Sequence, residues 1–294
     1  MESSVTSLTA AGMAGGPTVL RILLGSQLRL LREGRGITAQ DAARAIRGSE
    51  SKISRIELGR NAVREIDVAD LLTLYGVTDL EEREQLLSLA SQANRPGWWY
   101  RYHDILPQWF QAYIGLEEAA ASIRVYEPQF IPGLLQTEEY AAAVLALGDI
   151  PPEQADRHVI LRKERQRRFA AGDLRLWVVL DEESLRRPVA SVRVMRDQLA
   201  HLLTACAGPN LTLQVIPRGT AAHAAPSGFS ILRFPDPMLP DIVYVEQLTS
   251  ALYLDKRPEV DQYLLAMERM SFVSLKPQET AALIRAILAE GEQE

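Results

Sequence analysis

Residues 38–60 read Thr38-Ala-Gln-Asp-Ala-Ala-Arg-Ala-Ile-Arg-Gly-Ser-Glu-Ser-Lys-Ile-Ser-Arg-Ile-Glu-Leu-Gly-Arg60. Two short helices are written into this stretch. Thr38 is an N-cap residue, because its hydroxyl can accept from the free N–H groups of a first turn; the helix it opens ends near Ile46. A turn at Arg47-Gly48 follows. Ser49 caps a second helix, which runs to about Leu58 and is closed by Gly59. Ala43 stands where the two helices cross and only a small side chain fits, while Ala42, Ile46, Ile53 and Ile56 supply apolar contacts. What is left facing outward on the second helix is Glu50, Ser51, Lys52, Ser54 and Arg55.

The surroundings extend the helical pattern. Leu20, Leu24, Leu28 and Leu31 share one face of a preceding helix, stopped by Gly34-Arg35-Gly36. Residues 65–75 and 79–93 give two more, divided by Gly76-Val77-Thr78. Residues 18–64 hold ten basic and four acidic side chains, a local charge of +6 inside a chain whose net charge is −6. A basic module on an acidic body suits a polyanion. Helix N-termini add free N–H groups and partial positive charge that match phosphate oxygens. Residues 39–58 fit the helix-turn-helix pattern, whose second helix, 49–58, would enter the major groove of double-stranded DNA. Thr38, Gln40, Ser49, Glu50, Ser51, Lys52, Ser54 and Arg55 are the expected contacts, with Arg60 and Asn61 placed for the phosphate backbone. The competing reading is a plain helical packing unit with a solvated charged face. The local charge, the capping Ser49 and the small Ala43 together favour DNA.

These residues carry a resemblance. Residues 20–75 resemble the XRE-type (Cro/CI-like) helix-turn-helix regulators, most closely across Gly48-Ser49-Glu50-Ser51-Lys52-Ile53-Ser54-Arg55-Ile56-Glu57-Leu58-Gly59-Arg60. The resemblance implies a structural role for Glu57 and a homodimer on paired half-sites. Two positions depart from the pattern. The common Gln at the start of the first motif helix is Ala39, with Gln40 beside it, and the usual turn glycine is Arg47, with Gly48 one place later.

Beyond residue 94 the character changes. Arg95-Pro96-Gly97 marks a boundary, and Trp98, Trp99, Tyr100, Tyr102, Trp109, Phe110 and Tyr113 crowd behind it. Trp98, Trp99, Tyr102, Trp109, Phe110 and Tyr113 either floor a small-molecule pocket or form the core of a domain junction or dimer. Helices are expected at 115–124, 137–147, 152–170, 191–206, 258–273 and 278–290, and strands at 174–181, 211–216, 228–234, 241–247 and 251–254. The strands from 211 to 254 are too close for crossover helices, which predicts antiparallel pairing. Arg162, Lys163, Arg165, Arg167 and Arg168 form a basic run on the 152–170 helix, either a second DNA contact or a solvated face; the interspersed Glu153, Asp156 and Glu164 favour the solvated face. The expected organisation is a tail at 1–17, an α-helical helix-turn-helix domain of about five helices at 18–94, an aromatic junction at 95–114, and a larger α+β domain with a mainly antiparallel sheet at 115–294. Either Met1 or Met13 is the start.

Residues 98–290 resemble the antitoxin-like C-terminal domain found behind such motifs in many actinobacterial regulators. The matching segments include Tyr126-Glu127 with Ile131-Pro132-Gly133-Leu134-Leu135-Gln136-Thr137-Glu138 and Tyr140, then Leu180-Asp181-Glu182, Gln198-Leu199, Gln214-Val215-Ile216-Pro217 and Tyr244-Val245-Glu246. The resemblance implies dimerisation and a response to either a small-molecule effector or a small partner protein, or else an antitoxin-like chain that chiefly binds a partner.

Other classes are set aside. Cys206 is the single cysteine, so no intramolecular disulfide or cysteine zinc site is available. No run of eighteen apolar residues and no secretion signal is present, so the expected place is the cytoplasm, on the nucleoid, away from any membrane. No nucleophile-elbow, Walker or zinc-protease motif appears, so neither an enzyme nor a cofactor is expected.

Overall fold

The computed structural model describes residues 16–148, 150–220, 225–236 and 239–290. Most of the 1–17 tail, with Met1 and Met13, lies outside them. The chain divides into two compact units. The first runs to His103 and takes in Gln111–Ala119 and Asp236–Leu239; the second takes Asp104–Phe110, Ala120–Pro235 and the rest from Pro240.

The first unit is helical: α1 (Pro17–Gly34), α2 (Ala39–Ala45), α3 (Glu50–Glu57), α4 (Glu65–Leu74) and α5 (Leu80–Ala93), then a 3-10 turn at Trp98–Tyr102 and the greater part of α6 (Gln108–Ala119). Pro17 opens α1, where a missing N–H costs nothing. Val19, Leu20, Ile22, Leu23, Leu24 and Leu28 bury one side of it. Where α1 meets α3 the backbones nearly touch. A Cβ added at Gly25 would lie 2.4 Å from the Ile56 carbonyl oxygen. One added at Gly59 (φ 62°) would lie 2.6 Å from the Ile22 Cα.

The second unit is built on one six-stranded mixed sheet, in the order β3-β2-β1-β4-β5-β6. The strands are β1 (Ser122–Glu127), β2 (Arg175–Asp181), β3 (Leu211–Ile216), β4 (Phe229–Arg233), β5 (Ile242–Glu246) and β6 (Ala251–Leu254). Helices α7 (Glu138–Ala146) and α8 (Pro152–Ala171) link β1 to β2, while α9 (Glu182–Arg186) and α10 (Val192–Ala205) link β2 to β3. Such crossovers make both pairings parallel. The other three pairings are antiparallel. Val178, Val179 and Leu180 in β2 are fully buried, as a strand covered on both faces requires. Tyr126, Val179, Phe229 and Val243 meet Val260, Met267 and Met270 of α11 (Arg257–Val273) on one face. α12 (Pro277–Glu290) closes the chain.

Two expectations are corrected here. The helix expected at 115–124 ends at Ala119, and β1 begins at Ser122. Ser-Ile-Arg-Val-Tyr-Glu alternates as a strand should, but six residues abutting a helix carry too little periodicity to stand out. The antiparallel pairing expected throughout 211–254 holds for β4, β5 and β6; β3 pairs parallel to β2, and β2 and β1 stand between it and β4 in the sheet. The motif glutamines are structural. Gln198 accepts from the Thr137 N–H (2.7 Å) and donates to the Leu135 carbonyl (2.8 Å). Gln214 accepts from the Trp177 indole (2.9 Å) and donates to the Leu275 carbonyl (3.2 Å).

Candidate nucleic-acid interface

The two caps form as side-chain geometry demands. The Thr38 hydroxyl accepts from the Asp41 N–H at 3.1 Å and donates to the Asp41 carboxylate at 2.7 Å. The Ser49 hydroxyl accepts from the Lys52 N–H at 3.2 Å, which fixes the start of α3. Between them Arg47 takes a left-handed conformation, φ 51°. The turn therefore keeps a glycine-like backbone although the residue is arginine. A Cβ at Gly48 would lie 2.9 Å from the Lys52 Cδ, so the lysine side chain would have to shift to admit it.

Beneath this turn Ala42, Ala43, Ile46, Ile53 and Ile56 are all buried. Outward stand Gln40, Glu50, Ser51, Ser54, Arg55, Arg60 and Asn61, all exposed. Lys52 is placed differently. Its ammonium lies 2.8 Å from the Asp67 carboxylate, which is 2 % exposed and also receives Arg64 at 2.6 and 3.1 Å. Lys52 thus braces α3 against α4, and the structure presents Arg55 with the serines as the more open face. Burial alone would raise the Asp67 carboxyl, but hydrogen bonds from Arg64 and Lys52 outweigh it and hold it below the usual range. A depressed carboxyl adds stability above the ordinary aspartate range, lost as the pH falls through the folded value.

Three supports have no local signal in the sequence. Arg32 on α1 grips Glu57 through two hydrogen bonds of 2.6 and 3.0 Å, and a third reaches the Ile37 carbonyl. The Asn94 amide pairs with both backbone groups of Val63, at 3.2 and 2.7 Å, and so fixes the loop that carries Arg60 and Asn61. Asp67 is the third.

Tyr75 is the counter-example. Its hydroxyl is buried with no hydrogen-bond partner among the described residues. Burial and the nearby Glu57 charge push its pKa well above the usual tyrosine value. An orphaned buried hydroxyl costs about 1–3 kcal/mol. Tyr75→Phe is therefore expected to raise the stability of the first unit by about 1 kcal/mol in a urea titration; a loss of stability would refute the orphan assignment.

The six aromatic candidates divide. Trp98, Trp99, Tyr102 and Tyr113 belong to the first unit, Trp109 and Phe110 to the second. Trp98 meets Trp99 and Tyr102 edge-on at 6.0 and 6.5 Å. Trp99, Tyr102 and Tyr113 are buried packing residues, with Trp99 laid against Gly97 and Gly115. Trp109 and Phe110 pack edge-on at 5.9 Å, with the Arg165 guanidinium over the Phe110 ring at 5.3 Å.

No helix among the described residues is long and apolar enough to cross a membrane. Nor does any group of three or more His, Cys, Asp or Glu among them form a candidate metal cluster. A family described as "Helix-turn-helix domain" matches residues 23–86. One described as "Domain of unknown function (DUF5753)" matches residues 110–286. No curated protein and no solved structure matches the chain. The first match supports a DNA-binding helix-turn-helix regulator; the second carries no function with it.

Proposed function

We propose that this chain, which belongs to the DUF5753 family and carries a helix-turn-helix domain, is a sequence-specific transcriptional regulator of the XRE type. It reads operator DNA through α3 and works in the cytoplasm as a homodimer. It acts by binding, not by catalysis. The second unit tunes it in response to a small ligand or a small partner protein. One observation carries the reading: Ser51, Ser54 and Arg55 stand exposed on the first two turns of a capped helix, inside a segment of local charge +6. Paired half-sites would lie about 34–36 Å apart, one helical turn of DNA, which two copies can match.

The test is fluorescence anisotropy on the DNA upstream of the chain's own gene, repeated across salt. Arg55→Ala is expected to lose about 1–3 kcal/mol of specific binding. If Arg55 contacts a phosphate instead, the salt slope falls by about one. Two chains should bind per operator. Unchanged affinity and unchanged slope in Arg55→Ala would remove α3 as the reader, and one chain per operator would remove the dimer.

A further inference from the structure

The parallel pairings of β1, β2 and β3 and the two successive reversals from β1 through β4 to β5 bring four strand ends to one edge of the sheet. Glu127 ends β1, Asp181 ends β2, Ile216 ends β3 and Glu246 ends β5. The carboxyl edge of such sheets is where bound ligands gather. Tyr126 to Tyr140, Asp181 and Tyr244 to Glu246 are distant in sequence, yet they converge here.

Much of this edge is internally satisfied. The Tyr126 hydroxyl donates to Asp181 at 2.8 Å, and the Tyr244 hydroxyl donates to Glu246 at 2.8 Å. The Tyr140 hydroxyl accepts from the Ile131 N–H at 3.4 Å. The buried Gln136 donates to the Ile131 carbonyl at 2.7 Å and accepts from Arg162.

Two charged groups are left over. Arg162 lies on the Pro132-Gly133 turn, its Nε 3.5 Å from where a Gly133 Cβ would be, with Arg165 Nη1 at 3.7 Å. Among the described residues Arg162 has the Gln136 oxygen but no carboxylate partner. Burial and the Arg165 charge press its pKa down to about 10, with Glu246 acting in the opposite sense. Glu127 has no hydrogen-bond or ion-pair partner among the described residues. Gly228 lies against it, where a Cβ would sit 3.1 Å from Oε2. Burial and the charge of Glu246 push the Glu127 carboxyl up to about 8. Both side chains are half-buried, and among the described residues each is left without a counter-charge that a ligand at this edge could supply.

We propose that this edge is a binding site for a small zwitterion of the amino-acid class, its carboxylate on Arg162 and its amine on Glu127 and Glu246. An anion alone would leave Glu127 without a counter-charge, and a cation alone would leave Arg162 without one. Calling this ligand the effector rests on the regulator reading above; the site itself does not.

The full chain, free of DNA, is titrated by calorimetry with the free amino acids as probes. At least one is expected to saturate. Its N-acetyl and carboxamide derivatives should each bind about tenfold more weakly or worse, since each loses a charge-assisted hydrogen bond. Arg162→Met should abolish sensitivity to the carboxamide change, and Glu127→Gln sensitivity to acetylation. The derivative series on the unaltered protein needs no variant to fold. Binding by none of the amino acids, or equal binding of the blocked forms, overturns the site. Saturation with no change in operator affinity overturns the effector role alone. A failed DNA assay leaves the calorimetry standing, so the two readings fail separately.

Discussion

Glu57→Ala is expected to destabilise the first unit by about 3–5 kcal/mol, the usual cost of removing one partner from a buried ion pair. Both partners are largely buried, with 12 % of the Arg32 side chain exposed and 8 % of the Glu57 side chain. The hydrogen bonds that Arg32 donates to Glu57, more than simple charge attraction, hold its guanidinium above the usual pKa. Without Glu57 the cation keeps, among the described residues, the Ile37 carbonyl and a 3.4 Å contact to the exposed Glu33. A marginal domain has about 5–15 kcal/mol in all, so the loss reaches DNA binding through folding. Denaturant unfolding of Arg32→Met, Glu57→Ala and Arg32→Met/Glu57→Leu separates the cases. The double variant should recover much of the loss, because an apolar pair replaces a stranded charge. A Glu57→Ala change below about 1 kcal/mol would show the pair to be no better than a surface bridge.

The same pair shows where sequence reading stops. Thr38 and Ser49 were readable as caps because a cap is a local event, complete within three residues. Glu57 was readable as structural only by resemblance, since its partner lies 25 residues away. Lys52 looked like any exposed reader on its helix face; that Asp67, 15 residues on, holds it is visible only in three dimensions. In sequence the basic run on α8 reads as one solvated face. The fold splits it: Arg165 is buried and Arg162 half-buried, while 74 % of the Arg167 side chain is exposed. Helical periodicity could have warned of this, because 162 and 165 share a side with the apolar Leu161 and Phe169. Strand pairing was the least accessible, since nothing in β3 itself says whether β2 or β4 lies beside it.

The glycines of the α1–α3 contact set two physical effects against each other. Gly25 lies inside a helix, where alanine is favoured by about 1 kcal/mol. Yet the alanine Cβ would stand 2.4 and 2.6 Å from the carbonyl oxygens of Ile56 and Glu57. These are backbone atoms at the end of α3 and cannot rotate away. Overpacking against side chains costs about 1–3 kcal/mol, occasionally more, and here the obstacle is stiffer, so the clash wins. At Gly59 both effects point the same way. Its φ of 62° disfavours any L side chain by about 1–2 kcal/mol, and the Ile22 backbone stands 2.6 Å from the added carbon. Gly59→Ala is therefore expected to cost about 3–5 kcal/mol and Gly25→Ala about 2–3. Hydrogen exchange should place the lost protection in α1 and α3, with operator affinity falling in parallel. Were Gly25→Ala to stabilise the unit, helix propensity would have prevailed and the backbone-to-backbone seating of the reading helix on α1 would be wrong.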